Sequence, residues 1–184
     1  MNRKLAAVFN RAEATRSKML ECVKGLPEET FLFQPPGKWS PSQILSHIIH
    51  AESLSLQYMK KKSLGMNNLQ ATTLSDNLKF LVLKMSQRIP FLTFKAPDVL
   101  GGGAPPQLSF DEVKRRWDEE RVKLEDFLYV MEDDEVKKKI YKHPVVGMLN
   151  VIQAVSFFNE HCIHHFPQIK RIIQSQSRAL KSVS

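Results

Sequence analysis

The chain has 184 residues, of which 42% are hydrophobic and 25% are charged, and its formal net charge is +8 at pH 7. This length and composition predict one globular domain over residues 1–184, with residues 178–184 as a frayed tail. No run of about 18 uninterrupted apolar residues is present, which excludes a membrane-spanning helix. The N-terminal stretch becomes charged again too soon for a signal peptide, so we expect a soluble cytoplasmic protein.

The positive charge raises the question of nucleic-acid binding. The basic residues, however, lie in four separate stretches, at 59–63, 114–116, 136–142 and in the C-terminal tail. They are not interleaved with the aromatic side chains on which single-strand binders stack bases. We therefore expect a solvated basic surface, with neither nucleic acid nor a membrane among the partners.

Apolar residues recur with helical periodicity along the chain, and strand signals are almost absent. The first helix is predicted over residues 3–24. The second is predicted over residues 40–64, because Ser40 and Gln43 form a capping box with a proline at the first helical position. A third helix is predicted over residues 76–90, where a proline ends it.

A long irregular connection is predicted at residues 90–108. Its three consecutive glycines lead into Pro105 and Pro106 instead of a helix, which argues against a phosphate-binding loop. Two further long helices are predicted over residues 109–131 and 150–174. Four or five helices of this length without strands predict an all-α fold, an up-and-down four-helix bundle with a long loop before the fourth long helix.

Three of the six histidines fall within five residues of the last predicted helix. On a helical wheel with about 100° per residue, His165 lies within the apolar stripe of this helix and His161 lies at its edge. His164 lies on the other side, toward solvent. In the second helix, His47 borders the apolar stripe and His50 is turned outward. Each of the two helices therefore presents imidazole to the core.

Two histidines four residues apart on one helix direct ring nitrogens to a common point. A third nitrogen from a facing helix makes a three-ligand metal site with one position open to water or substrate, as in catalytic zinc sites. The alternative is that these histidines are core residues held by hydrogen bonds. The residue pattern leaves both interpretations open, because it does not show that the two helices are adjacent.

Three segments resemble the DinB/YfiT-like superfamily. The stretch "GKWSPSQILSHIIHAE" at 37–52 is similar to its Trp-Ser…His segment, and "NEHCIHHFPQIKRI" at 159–172 is similar to its His-x-x-x-His-x-x-Gln-Ile segment. The stretch "HPVVGMLNVIQAV" at 143–155 looks like the His-Pro…Gly segment that leads into the last bundle helix. The likeness follows the element order over most of the chain, and the two histidine segments are its specific part.

The resemblance implies a four-helix bundle, usually dimeric, in which three histidines hold a divalent metal. Carried over to this sequence, the ligands are His47, His161 and His165, and Gln168 matches the family glutamine. The implied metal is zinc or nickel first, with iron, manganese or copper as alternatives. Pro167 is a departure, since the family commonly has glycine there, and we expect it to kink the helix just after His165.

Characterised relatives include transferases that use a low-molecular-weight thiol and some metal-dependent hydrolases. The resemblance therefore implies a metal-dependent enzyme of the thiol S-transferase or hydrolase type, acting on a small-molecule substrate as a homodimer. The alternative is a non-catalytic helical binding module with structural histidines. Glu52 and Glu160 are the nearest carboxylates in sequence but point away from the ligand direction. Cys162 is expected to be a small buried hydrophobic residue, and Trp39 to pack in the core.

Overall fold

The computed structural model describes residues 1–88 and 103–181, with side chains as far as Gln176. Within these residues the chain forms six α-helices: α1 Arg3–Val23, α2 Glu28–Leu32, α3 Pro41–Ser63, α4 Leu74–Ser86, α5 Phe110–Tyr129 and α6 Val151–Lys181. Short 3₁₀ helices occupy Met66–Asn68 and Glu135–Lys137, and two strands follow, β1 Tyr141–His143 and β2 Gly147–Leu149. The predicted loop at residues 90–108 lies largely outside the described residues.

The start of α3 is fixed by the predicted capping box. The hydroxyl of Ser40 accepts from the backbone N–H of Gln43 at 3.1 Å, and the Gln43 side-chain oxygen accepts from the Ser40 N–H at 2.9 Å. Helix α4 starts at Leu74, two residues earlier than predicted, because Thr73 and Asp76 form a second capping box at its N-terminus. The helix that carries His47 therefore begins at a well-defined residue.

Two short elements were missed in the sequence. The sequence analysis did not predict the strands β1 and β2, which pair antiparallel as a hairpin with Tyr141 opposite Leu149. Strands of three residues are too short to show a period-two pattern. The hairpin needs Gly147 at φ +82°, a left-handed conformation that favours glycine. The single-turn helix α2 is likewise too short to show helical periodicity.

Helices α1, α3, α5 and α6 form the bundle. Helix α1 packs against α6 and α5, and α3 packs against α5 and α6. At one end of the core, the N-terminal halves of α1 and α6 pack with the C-terminal halves of α3 and α5. At the other end, the C-terminal halves of α1 and α6 pack with the N-terminal halves of α3 and α5. Helices α1 and α6 therefore run in one direction and α3 and α5 in the other, which the long α3–α5 connection permits. The predicted all-α four-helix bundle is confirmed. Its helices do not follow the predicted up-and-down order, because α3 and α5, which are consecutive in the bundle, run in the same direction.

Helix α4 lies outside the bundle and is held by its inner side, where Leu83 is buried. Its outer side carries exposed apolar residues: Leu74, Leu78, Leu81, Val82 and Met85. Just after its last turn, Arg88 forms an ion pair with Glu160 of α6. The end of α4 thus lies beside the helix that carries two of the candidate ligands.

None of the described helices combines the length and the apolar character that crossing a membrane requires. Helix α6 is the longest at 31 residues, but it interrupts its apolar face with His161, His164 and His165.

Candidate metal centre

The structure brings together the three histidines that the sequence singles out as ligands. His47 comes from the first half of α3, and His161 and His165 come from adjacent turns of α6. One ring nitrogen from each lies within 4.8 Å of the others. The packing of α3 on α6, which the sequence does not show, is what makes the cluster. Among the described residues, no cysteine or carboxylate joins this group.

The closest pair in the cluster is on one helix. Nε2 of His161 lies 3.0 Å from Nε2 of His165. The ring of His47 faces this pair edge-on, with its centroid 5.2 Å from each of the other two rings. Two imidazole nitrogens bound to one ion at about 2.0–2.1 Å lie roughly 2.9–3.4 Å apart in octahedral or tetrahedral geometry, so the observed separation fits a shared ion.

Gln168 fixes which nitrogen of His165 faces the cluster. Its side-chain oxygen lies 3.1 Å from Nδ1 of His165. An amide oxygen only accepts, so Nδ1 carries the proton and Nε2 keeps its lone pair. In the protein without metal, the N–H at Nε2 of His161 donates to that lone pair. With the His161 proton on Nδ1 instead, the Nε2 atoms of His161 and His165 would both offer a lone pair to a cation.

Burial keeps all three imidazoles neutral. Loss of solvation lowers the pKa of His47 to about 4 and that of His165 to about 3, and it lowers the pKa of His161 well below its usual value. Each ring also opposes protonation of its neighbours, which adds to the effect in the same direction. At neutral pH each ring therefore has one nitrogen lone pair for a cation.

Aromatic side chains enclose the cluster. The ring of Phe157 stacks on His161 at a centroid distance of 5.6 Å, and Trp39 lies 5.1 Å from His47 while packing against the core. On the far side of Phe157 lies His143, 4.5 Å away, whose Nδ1 accepts the N–H of Val145 at 3.2 Å. His143 and Phe157 were not among the predicted site residues, and the "HPVVG" motif was the only signal for the first of them.

The two remaining histidines of these helices lie outside the cluster. His50 is exposed, as predicted. His164 was predicted to face solvent, but it is half-buried, because its Nδ1 donates to the backbone oxygen of Gln87 at 3.1 Å. The end of α4 covers this side of α6, and that packing is not visible in the sequence. His165 is not displaced by Pro167, since α6 continues through the proline and the 3.0 Å contact is kept.

Both nearby carboxylates have partners elsewhere. Glu52 is buried and accepts from Arg121 at 2.7 Å and from the indole N–H of Trp117 at 2.9 Å. Glu160 is also buried and accepts two bonds from the guanidinium of Arg88, at 2.8 and 2.9 Å. Neither is available as a base at the cluster, in agreement with the direction read from the helical wheel.

Cys162 is fully buried in the core next to Glu52. Burial, reinforced by the Glu52 carboxylate, raises the pKa of its thiol, so it stays protonated. The prediction that Cys162 is a buried hydrophobic residue is confirmed by this placement. A protonated thiol in the core is neither a metal ligand nor a nucleophile.

Comparisons with known proteins place this arrangement in a family. A family model described as the DinB superfamily matches residues 11–169. Among solved structures, YfiT from Bacillus subtilis, described as a probable metal-dependent hydrolase with an unusual four-helix bundle topology, matches with a TM-score of 0.55. The match has 12% sequence identity and covers 96% of this chain and 90% of that chain, so it shows the fold alone. The search of curated proteins found no match.

Proposed function

The chain belongs to the DinB superfamily, and we propose that it is a metal-dependent enzyme whose divalent ion is held by His47, His161 and His165. The observation that carries this proposal is the 3.0 Å separation of the two Nε2 atoms on α6, with a third imidazole nitrogen within 4.8 Å. Three neutral donors from two helices meet at one point, which a hydrogen-bonded pair of core histidines does not require.

The donor set indicates the kind of ion. Three imidazoles suit zinc and nickel, while sites for magnesium or calcium are built from oxygen ligands. Catalytic zinc sites combine three protein ligands with one open position, whereas structural sites fill all four. We therefore propose zinc or nickel at an open site. A divalent ion bound there supplies Lewis acidity that lowers the pKa of a water or thiol at the open position toward neutrality.

The residues around the cluster have supporting tasks. Gln168 holds the tautomer and orientation of His165, so that Nε2 is the donor atom. Phe157 and Trp39 flank His161 and His47 and limit the access of bulk water. The low pKa values of His47 and His165 keep these donors unprotonated across the physiological pH range. Together these residues preorganise the donor set before an ion binds.

We propose hydrolysis as the reaction class, with water at the open position. YfiT, which shares the fold at 12% sequence identity, is described as a probable metal-dependent hydrolase, and this description supports the assignment. Transfer to a low-molecular-weight thiol is the second candidate, because the same open position and the same three donors accommodate a thiolate. Both candidates act on a small molecule.

A non-catalytic helical module is the competing interpretation. In this interpretation the hydrogen bond between His161 and His165 explains why both histidines are buried side by side, and His47 is a packing residue. The two interpretations differ in metal affinity and in the presence of an open position, and both quantities are measurable.

Cobalt(II) substitution tests the proposal. Untagged protein is freed of metal, titrated with cobalt(II), and followed by visible absorption. We expect saturation at a single equivalent and a change in the absorption bands when azide is added, because azide occupies an open position. The matched control is His50→Ala, which removes an exposed imidazole from the same helix as His47. Absence of saturable absorption, or identical bands with and without azide, contradicts the proposal.

Substrate class is then tested with the loaded protein. One panel contains simple esters and amides, and the other contains small thiols with an electrophilic acceptor. Turnover in the first panel that disappears in His47→Ala but not in His50→Ala supports hydrolysis. Turnover only in the second panel replaces hydrolysis with thiol transfer.

A further inference from the structure

A cleft of about 430 Å³ opens between the end of α4 and the outer face of α6, next to the histidine cluster. Its volume lies within the range of sites for small molecules, roughly 300–1,000 Å³. Its polar lining residues come from the two positions after α4 and from α6: Gln87, Arg88, His164, Gln168 and Arg171. Among the residues that the structure describes, no aspartate or glutamate lines the cleft.

Arg88 is held in place from behind the cleft. Its Nε and Nη2 atoms donate to the two carboxylate oxygens of Glu160, whose side chain is buried. Such a two-pronged bond fixes the plane of the guanidinium group. Neither bond involves Nη1, so this nitrogen is the donor with which Arg88 meets a ligand. The Glu160 carboxylate thus orients the guanidinium group of Arg88 and leaves its Nη1 atom able to donate to a ligand in the cleft.

Arg171 stands on the α6 side. Its Nε donates to the backbone oxygen of Pro167 at 3.2 Å, one turn earlier in the same helix. This bond leaves the two terminal nitrogens of the guanidinium group for other acceptors. The two arginines therefore approach the cleft from different segments, Arg88 from the turn after α4 and Arg171 from α6. Guanidinium groups are well suited to bind a carboxylate or a phosphate.

The local charge favours an anion. Of the described residues, Arg88 and Arg171 line the cleft, and Glu160, which is bound to Arg88, also lies 3.5 Å from Lys84. Three positive charges against one negative charge leave a surplus of two positive charges. The whole chain carries +8, which adds to the attraction of anions from solution.

Gln168 connects the cleft to the candidate metal centre. Its side chain lines the cleft, and its oxygen accepts from Nδ1 of His165, whose Nε2 belongs to the cluster. The rings of His164 and His165 are 5.1 Å apart, one on each side of this boundary. A small molecule bound in the cleft can therefore contact Gln168, which in turn contacts the proposed metal ligand His165.

We propose that this cleft binds the anionic group of the substrate, a carboxylate or a phosphate, with Arg88 and Arg171 as its anchors. The assignment of the bound anion to a substrate rests on the proposed function. The binding of an anion in the cleft is independent of that function. The substrate is accordingly a small anionic molecule whose reacting group lies beside its anchor.

NMR titration of the full chain tests the proposal, with inorganic phosphate and succinate as the probes. The reporters are the side-chain Nε–H signals of Arg88 and Arg171 and the backbone amides around Gln168. Spectra are recorded for metal-loaded and metal-free protein, because only the metal-free form excludes direct contact between the probe and an ion. We expect saturable shifts of the reporters in both forms.

Substitutions make the assignment specific. Arg171→Gln should weaken probe binding by roughly tenfold or more, the effect of losing one charge-assisted hydrogen bond. Arg171→Lys should restore part of it. The matched control is Lys170→Gln, an equal change of charge at the next residue, whose ammonium group lies over the ring of Phe166. This control should change binding by less than about twofold, because screened charges outside the site contribute little.

The outcomes separate the possibilities. Saturation by phosphate alone assigns a phosphate-bearing ligand, and saturation by succinate alone assigns a carboxylate-bearing ligand. No saturable shift with either probe overturns the proposal, as does equal weakening by Lys170→Gln and Arg171→Gln. Binding in the metal-free form is independent of metal affinity, so failure of the metal site and failure of the cleft give different results.

Discussion

The side-chain oxygen of Gln168 lies 3.1 Å from Nδ1 of His165 and thereby decides that Nε2 of His165 faces His161. We expect Gln168→Leu to weaken metal affinity by roughly 10–100-fold, because partners of this kind set the tautomer and orientation of a ligating histidine. Gln168→Glu keeps an acceptor at the same place and should bind at least as well as the wild type. Competition with a zinc chelator measures both affinities. Equal affinities for the leucine variant and the wild type would show that Gln168 has no such role.

A second prediction concerns the pH dependence of stability in the metal-free protein. Burial places the pKa of His47 and His143 at about 4, against about 6.5 in the unfolded chain. The unfolded chain therefore binds more protons between these values, and the free energy of unfolding falls as the pH drops below about 6.5. By pH 4.5 each residue should lower it by on the order of 2 kcal/mol.

Guanidinium unfolding at a series of pH values checks this expectation. The variant His143→Phe removes one buried imidazole and should show a shallower decline than the wild type between pH 6.5 and 4.5. A free energy of unfolding that does not change over this range would contradict the neutral, buried state of these rings.

A third prediction separates the buried carboxylate Glu52 from the metal centre. Glu52→Leu leaves Arg121, which is 3% exposed, with Glu13 at 3.3 Å as its remaining ion-pair partner. We expect a loss of about 3–5 kcal/mol in the free energy of unfolding, as for other buried ion pairs that lose one member. The double variant Glu52→Leu/Arg121→Met should recover much of this loss, because neither member of the buried pair is then left without the other.

Chemical denaturation gives the free energies of these variants, and a chelator titration gives their metal affinity. Metal affinity should stay within about threefold of the wild type in every variant that folds, since the Glu52 carboxylate is bound to Arg121 and Trp117. A Glu52 variant that folds as stably as the wild type but loses its metal would instead assign Glu52 to the site.

Local signals in the sequence predicted the main elements well. Ser40 and Gln43 fix the start of α3 by a bond between neighbours, so that end could be predicted without knowing the fold. The placement of His161 and His165 on one face follows from helical periodicity alone. The same periodicity put His47 beside the apolar stripe of α3, the family segments assigned all three histidines as ligands, and the structure brings them together.

Features that depend on distant packing could not be predicted. His164 is half-buried because Gln87 packs on it, and the Glu52 carboxylate is bound by Arg121. In both pairs the partners are remote in sequence and become neighbours only in the fold. The hairpin β1–β2 escaped because three-residue strands carry too little periodicity. The tautomer of His165 needed the position of the Gln168 amide, which is a matter of side-chain geometry.

The most direct test of the account is the metal content of untagged protein. Elemental analysis is made for the wild type, for His161→Ala/His165→Ala and for His50→Ala, which removes an exposed imidazole outside the cluster. The account predicts close to one equivalent of zinc or nickel in the wild type and in His50→Ala, and none in the double variant. A wild type that stays free of metal after reconstitution with zinc, nickel, iron, manganese or copper, or a double variant that keeps its metal, would contradict it.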